Sequence, residues 1–280
     1  MANVSYNFGS PKFTPIIKEA TNKQILLLDG VNDYLEIPDA NAIDFGTNQN
    51  FTVESWFKVD PSQNTEGDII EKWKDPTGYP YVIRYDGGSG KVVAARYDRS
   101  NNPSIVSTRT FNDGQSHHVA FVKDGNQLKL YVDGQLDGTT TDTTTGNTQN
   151  NSPLFIGNRG GIANHFKGEI EELRIWNVAR TPAEIQSNLN TTFQGTEAGL
   201  AGYWNFDQDN IDGTIAQDAT ANGNDGTLKN GAKLEIDDSF IGYVEIVLDQ
   251  AVTVAPGAII EYRIEGPLLL PNRQIFIMLN

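Results

Sequence analysis

The 280 residues carry 21 Lys and Arg against 36 Asp and Glu, a net charge of −15, with no Cys and only three His. That balance repels nucleic-acid phosphates and anionic lipid alike, so neither nucleic-acid binding nor membrane insertion is expected. The missing thiols exclude disulfide frameworks, thiolate nucleophiles, iron–sulfur clusters and Cys-based zinc sites, and the acidity leaves either cations such as calcium as partners or a solubility role alone.

The length suits one large β-sandwich or barrel with an appendage. The start, Met1-Ala-Asn-Val-Ser-Tyr, has no basic patch followed by an apolar core, and no apolar run is long enough for a bilayer; a soluble chain without an export signal is expected. Residues 1–24 read as an N-terminal arm or first strand. Short apolar runs punctuated by Gly, Asn and Thr then read as strands. In FTVESWFKV (51–59), Phe51, Val53, Phe57 and Val59 share one face, the expected core face, and Thr52, Glu54 and Lys58 the other. DIIEKW (68–73), YVIRY (81–85), KVVAARY (91–97), SIVSTRT (104–110), HHVAFVK (117–123), QLKLYVD (127–133), PLFIG (153–157) and EIEELRIW (169–176) follow. Asp86-Gly87-Gly88, Asp124-Gly125-Asn126 and Asp133-Gly134 tolerate the positive φ of tight hairpin turns, so the pairing should be antiparallel.

The stretch 139–152, TTTDTTTGNTQNNS, has no apolar residue and reads as a long exposed loop or a disordered one. One helix is signalled by TPAEIQSNL: Thr181 as N-cap, Pro182 at the first helical position, Glu184 closing a capping box, and Ile185 and Leu189 as the buried stripe across a sandwich edge. GLAGYWNFD (199–207) is one more strand. Residues 208–240 are rich in Asn, Asp and Gly and read as a connecting segment of turns. Residues 241–280 bring further strands bounded by Pro256, Pro267 and Pro271. Forty residues bury little core alone, so this C-terminal β segment should pack on the sandwich or begin a further domain, and it offers a route to a larger assembly.

The motif search is mostly negative. Adjacent residues on a strand point to opposite faces, so His117 and His118 cannot easily share an ion. Asp207-x-Asp209-x-x-Asp212-Gly213 misses the EF-hand pattern at its fifth position, where Ile211 stands, and Asp218 to Asp225 reads as turn residues. No phosphate-binding Gly loop and no Gly-x-Ser-x-Gly elbow occurs.

Six segments in order, LLLDGVNDYLEIPD (26–39), FTVESWFKVD (51–60), DGQSHHVAFVKDGNQLKLYVDGQ (113–135), LFIGNRG (154–160), GEIEELRIWNVARTPAEIQ (168–186) and GLAGYWNFD (199–207), resemble the laminin G-like, pentraxin-like branch of the concanavalin A-like lectin and glucanase sandwiches. The resemblance covers roughly residues 25–207. It implies an all-β jelly-roll sandwich of two antiparallel sheets with one short helix, to which the C-terminal β segment is added. It also implies an extracellular or surface role in adhesion or in lectin-like carbohydrate binding.

The family's calcium position maps onto Asp29, Asp33 and Glu171, with Glu171 standing where the family more often has Asp; the same aspartates can instead shape a turn by accepting backbone amides. The superfamily's glucanases carry Glu-x-Asp-x-x-Glu on one strand. Here Glu235-Ile-Asp237 is followed by Phe240 in place of the third acid and Glu169-Ile-Glu171 by Arg174, so no catalytic residue is expected. Trp56, Trp176 and Trp204 fall in family strands as structural residues.

Ligand binding is expected instead at rim loops. Trp73, Asp75, Tyr79 and Tyr81, with Arg84 and Tyr85 nearby, surround the KWKDPTGYPY loop, where related pentraxins place calcium ligands, and Asn158, Arg159, Asn164 and His165 lie in the loop before the last long strand. The expected role is a non-catalytic recognition or adhesion module for a glycan or protein partner, braced by calcium. Its rivals are a structural decoration of a fibre or large particle without sugar binding, and, more remotely, a glycoside hydrolase.

Overall fold

A computed structural model describes residues 23–73, 76–207 and 213–236, together with the strands at 14–16 and 245–247. The strands in chain order are β1 (Thr14–Ile16), β2 (Gln24–Asp29), β3 (Tyr34–Ile37), β4 (Phe51–Val59), β5 (Gly67–Glu71), β6 (Tyr79–Asp86), β7 (Lys91–Tyr97), β8 (Ser104–Val106), β9 (Ser116–Asp124), β10 (Gln127–Val132), β11 (Gln135–Thr141), β12 (Leu154–Ile156), β13 (Lys167–Trp176), β14 (Leu200–Trp204), β15 (Ile215–Ala216), β16 (Gly226–Lys229), β17 (Lys233–Ile236) and β18 (Glu245–Val247). A 3-10 turn (Asn41–Ile43) and one α-helix, α1 (Pro182–Ser187), complete the set.

The chain divides into two compact units, Gln24–Asp237 and Met1–Lys23 with Asp238–Asn280. In the smaller unit β1 pairs antiparallel with β18; the other strands expected in 241–280 lie outside the described residues. The larger unit is a sandwich of two eight-stranded antiparallel sheets. The first runs β11-β10-β9-β4-β13-β2-β17 with β14 also on β13, and the second runs β15-β16-β3-β12-β5-β6-β7-β8. Residues 213–236, expected to be mostly turns, thus supply three sandwich strands.

Alternation builds the core. Phe51, Val53, Phe57 and Val59 of β4 point inward with Leu26, Val119, Phe121 and Ile170, and meet Leu35, Tyr81, Ile83, Tyr85 and Ile156 of the second sheet in one continuous cluster. The hairpins form where the Asp-Gly turns predict them, with Gly125 (φ 59°) and Asp133 (φ 49°) in the left-handed region.

Two expectations are corrected. Thr139–Thr141 belong to β11, and the rest of the supposed exposed loop is stapled to the sandwich by polar side chains: Thr148 is fully buried, donates to the Phe45 carbonyl (2.7 Å) and accepts from Arg96 (2.9 Å). Asn150 donates to the carbonyls of Lys72 (3.0 Å) and Gly78 (2.9 Å). Alternate members of a segment without apolar residues, Thr144, Thr148, Asn150 and Ser152, are buried here because their hydroxyls and amides satisfy polar groups, while Thr143, Thr145, Asn147, Gln149 and Asn151 stay exposed.

Helix α1 has the expected capping box between Thr181 and Glu184. It lies over the outer face of the first sheet rather than an edge, with Ile185 packed on Ala120, Val122 and Tyr131. His117 and His118 face opposite sides as alternation requires. His117 hydrogen-bonds Asp133 (3.1 Å) at the rim, and His118 is buried against Trp56.

Candidate functional site

On the outer face of β5, β6 and β7 two irregularities bring polar side chains together. Asp68 pairs with Arg84, whereas Ile70 pairs with Ile83, so one residue of β5 is extra. This bulge lets Ile69 and Ile70 both enter the core while Asp68 and Glu71, three residues apart, share the outer face beside Arg84. A second shift lies on β6, between Tyr79 opposite Tyr97 and Val82 opposite Ala95. It spans Pro80, which has no N–H to give a ladder. Through it Tyr79 joins Val82, Ala95, Trp73 and Tyr97 in an outer cluster, while Tyr81 keeps the inward face of Ile83 and Tyr85.

The result is a cleft of about 220 Å³ lined by Trp73, Tyr79, Arg84, Tyr97, Asn102 and Arg159. Tyr79 is its nearly buried floor (3 % exposed), its ring 5.6 Å from that of Tyr97 and its hydroxyl donating to Asn102 Oδ1 at 3.1 Å. Burial raises the Tyr79 phenol pKa, which keeps it a neutral donor. The Arg84 guanidinium stands 5.8 Å from the Tyr79 ring centroid and the Arg159 guanidinium 5.7 Å from that of Trp73.

Both arginines are held from behind by fully buried acids: Arg84 Nη2 donates to Glu71 (3.1 Å), and Arg159 Nε lies 3.0 Å from Asp68 and 3.4 Å from Glu71. Neither Asp68 oxygen accepts a hydrogen bond. Burial first, and then the adjoining Glu71, raise the Asp68 pKa, favouring a neutral acid that can donate to Glu71. The loop 157–163 delivers Arg159. Gly157 has φ 92° and no room for a Cβ, which would lie 2.4 Å from Leu28 Cδ1, and Asn158 Oδ1 accepts the Gly161 N–H at 3.1 Å.

Of the residues the sequence nominates as ligand-binding, Trp73, Tyr79, Arg84 and Arg159 therefore meet in one place, while Tyr85 is buried in the core. Asp75 lies outside the described residues. Tyr81 is a core residue whose hydroxyl donates to the Ile43 carbonyl at 2.8 Å, so it presents nothing to a ligand; alternation with Ile83 and Tyr85 already puts it on the inward face, and it is Tyr79 that the β6 bulge turns outward. Asn158 is buried and shapes the loop. Asn164 donates to Glu66 Oε1 (2.6 Å), the same oxygen that accepts from Arg159 Nη2. His165 lies away from the cleft, near enough to Asp33 to influence its charge.

Sequence reasoning missed Asp68, Glu71, Tyr97 and Asn102 as parts of the site. The signal for the two acids was the pattern Asp-Ile-Ile-Glu, which no regular strand can fit with both Ile inside and both acids out.

The calcium assignment meets a different geometry. Asp29 and Asp33 line a larger cavity of about 550 Å³. Asp29 Oδ1 already accepts the Val31 N–H at 2.7 Å, the alternative turn-shaping role. Burial and the neighbouring Asp29 raise the Asp33 pKa. Lys58, Lys167 and Lys233 line the same cavity. Glu171 does not reach it: Asp29 pairs with Lys167 on β13, and four residues at about 3.3 Å each put Glu171 roughly 13 Å farther along, opposite Trp56. Among the described residues no three His, Cys, Asp or Glu side chains converge on a metal position. The residues do not fit a three-carboxylate calcium site.

A laminin G-type family model of the concanavalin A-like lectin/glucanases superfamily matches residues 29–186. Among curated proteins, mouse pappalysin-1 is 35 % identical over 158 residues, covering 50 % of this chain and 10 % of its own length. Human pappalysin-1 is 34 % identical over 100 residues, covering 34 % of this chain and 6 % of its own. The chain thus spans a tenth or less of the curated relatives it matches. Among solved structures, an inferred carbohydrate-binding protein from Bacteroides ovatus is similar with a TM-score of 0.60 at 21 % identity, over 77 % of this chain and 60 % of that one. The binding domain of Paraclostridial Mosquitocidal Protein 1 is similar with a TM-score of 0.51 at 17 % identity, over 64 % of this chain and 45 % of that one. At these identities the structural likeness shows the fold alone.

Proposed function

The chain belongs to the concanavalin A-like lectin/glucanase superfamily, and on that premise we propose that it is a non-catalytic recognition module that binds a glycan in the Trp73–Tyr79–Tyr97 cleft. The observation that carries the proposal is the cleft itself. Sugar rings present C–H faces that pack on aromatic rings, and hydroxyls that pair with amide and guanidinium donors. Trp73, Tyr79 and Tyr97 supply the first, and Asn102, Arg84 and Arg159 the second. The Bacteroides ovatus protein, inferred to bind carbohydrate, lends the reading support at the level of fold.

Of the carboxyls that hold the arginines, Asp68 and Glu71 are fully buried and the exposed Glu66 is engaged by Arg159 and Asn164, and none of the three lines the cleft as a pair of acids would for glycoside hydrolysis. The reading uses no metal. No helix among the described residues is long and apolar enough to cross a membrane.

A glycan binding screen with the wild-type chain and with Trp73→Ala and Tyr97→Ala tests the proposal. Saturable binding lost in both variants, with unchanged melting cooperativity, is the expected result. Binding that survives both substitutions moves the site elsewhere, and a protein ligand with no sugar bound returns the module to protein recognition.

A further inference from the structure

The geometry points to an acidic saccharide as the ligand of this cleft: a sugar ring carrying a carboxylate or sulfate, packed on Trp73 and Tyr97 with its anionic group between Arg84 and Arg159. The inference rests on the glycan reading above and narrows its ligand class. In a chain of net charge −15, the six residues lining this cleft include two cations and no carboxylate. The hydrogen bonds that hold Arg159 use its Nε and Nη2, which leaves its Nη1 uncommitted among the described residues, and Arg84, anchored on Glu71 through Nη2, also engages the Tyr79 hydroxyl on the cleft floor.

The Asn102 amide points the same way: its Oδ1 is occupied by the Tyr79 hydroxyl, so its Nδ2 is the group left for a ligand, whereas the Tyr97 hydroxyl donates its proton to the Arg99 carbonyl at 2.8 Å and offers the ligand only its ring. A donor-rich wall with the planar forks of two guanidiniums matches an oxyanion better than a neutral hydroxyl.

The charged groups that face the arginines are Asp68 and Glu71 from β5 and Glu66 just before it. Asp68 and Glu71 are fully buried, whereas Arg84 and Arg159 keep 20 % and 25 % of their side chains exposed. The acids thus fix the forks from beneath while the cations meet solvent.

The test is made first on the ligand side, where folding is not at issue. Binding of the full wild-type chain to galacturonate oligomers and to their methyl esters is measured by titration calorimetry, with dextran sulfate and neutral dextran in parallel. The inference expects the acid form to bind at least about tenfold more tightly than the ester, and to weaken as sodium chloride rises from about 0.05 to about 0.5 M. Dextran sulfate bound in place of galacturonate supports the inference and names sulfate as the anionic group.

Equal affinity for acid and ester, or binding of neutral polymers only, overturns the inference and leaves the glycan reading standing. Failure of every polymer, acidic and neutral, overturns both. On the protein side, Arg84 neutralises buried Glu71, so Arg84→Gln risks the fold. Arg159→Gln, in the loop, is the informative variant: it should abolish the preference for acid over ester while the melting transition persists, and Arg159→Lys should restore part of that preference. A preference unchanged in Arg159→Gln overturns the assignment of that side chain.

Discussion

On the first sheet Trp176, Tyr203, Arg174 and Arg180 gather around Glu54 and Glu172; on the second, Trp73, Tyr79, Arg84 and Arg159 gather around Asp68 and Glu71. The residue types are nearly the same, and so is the plan of aromatic rings and guanidiniums over buried acids. What differs is the roof. Over the first sheet the chain from Asn177 to Gly199, including α1, closes on the cluster. Arg174 donates to the carbonyls of Asn188 (3.1 Å) and Thr191 (2.8 Å), Trp56 Nε1 donates to that of Leu189 (3.0 Å), and Phe193 packs edge-on against Trp176.

Glu54 accepts from Trp176 Nε1 (2.9 Å) and Arg180 (3.3 Å), and Glu172 from Arg174 (2.6 Å) and the Tyr203 hydroxyl (2.9 Å). There the chain itself uses the donors, and the cluster is structural. Over the second sheet no such roof is found among the described residues, and the donors that the chain leaves uncommitted are the ones the proposed glycan site draws on. Residue type alone therefore does not distinguish a packed polar network from an open cleft; the covering segment does.

The comparison can be broken by substitution. Glu54→Ala strands Arg180 and the Trp176 indole N–H beneath the roof and should cost about 3–5 kcal/mol of stability in chemical denaturation. A loss below about 1 kcal/mol would mean that the roofed cluster is not the tight network described.

The next effect is one of pH. Burial first, then Arg174 and Arg180, lower the His118 pKa to about 3, and Glu54 and Trp56 are its other polar and aromatic neighbours. Its folded pKa lies below its unfolded one, so the contribution to stability is full above about pH 6.5 and is lost as pH falls toward 3. Within that window the slope attributable to His118 approaches its limit of about 1.4 kcal/mol per pH unit. Urea unfolding of wild type and His118→Phe across this range should show the slope reduced in the variant.

On the open face, Trp73→Ala should cost only about 1 kcal/mol of stability, because the ring is half-buried, yet weaken glycan binding about tenfold. Equal losses of stability for Trp73→Ala and Glu54→Ala would erase the distinction between the faces. The smallest effect concerns calcium: with Glu171 far from Asp29 and three lysines lining the cavity, millimolar calcium against chelator should move the melting temperature by less than about 1 °C.

Much of the scaffold was legible in the sequence. Period-two alternation gave the inward face of β4, Asp-Gly pairs gave the hairpins, and the Thr181–Glu184 capping box gave α1, because each depends on neighbours in the chain. Four of the six residues lining the cleft were legible too, Trp73, Tyr79, Arg84 and Arg159. The polar staple at 144–152 was not, since burial of Thr148 and Asn150 depends on carbonyls of Phe45, Lys72 and Gly78 far away in sequence.

What the sequence by itself determined is the run of strands and turns from 51 to 133, the inward face of β4, the capped helix and the superfamily motifs. What only the tertiary structure decided is which way residues face after a bulge and which loops meet. One extra residue on β6 separates Tyr79 from Tyr81, one on β5 brings Asp68 beside Glu71, and Arg159 arrives from some 75 residues farther along the chain than Arg84. The physical reason is that a period-two pattern is a local property, whereas a bulge is favoured by the fit of both Ile69 and Ile70 into a core built by the whole sandwich.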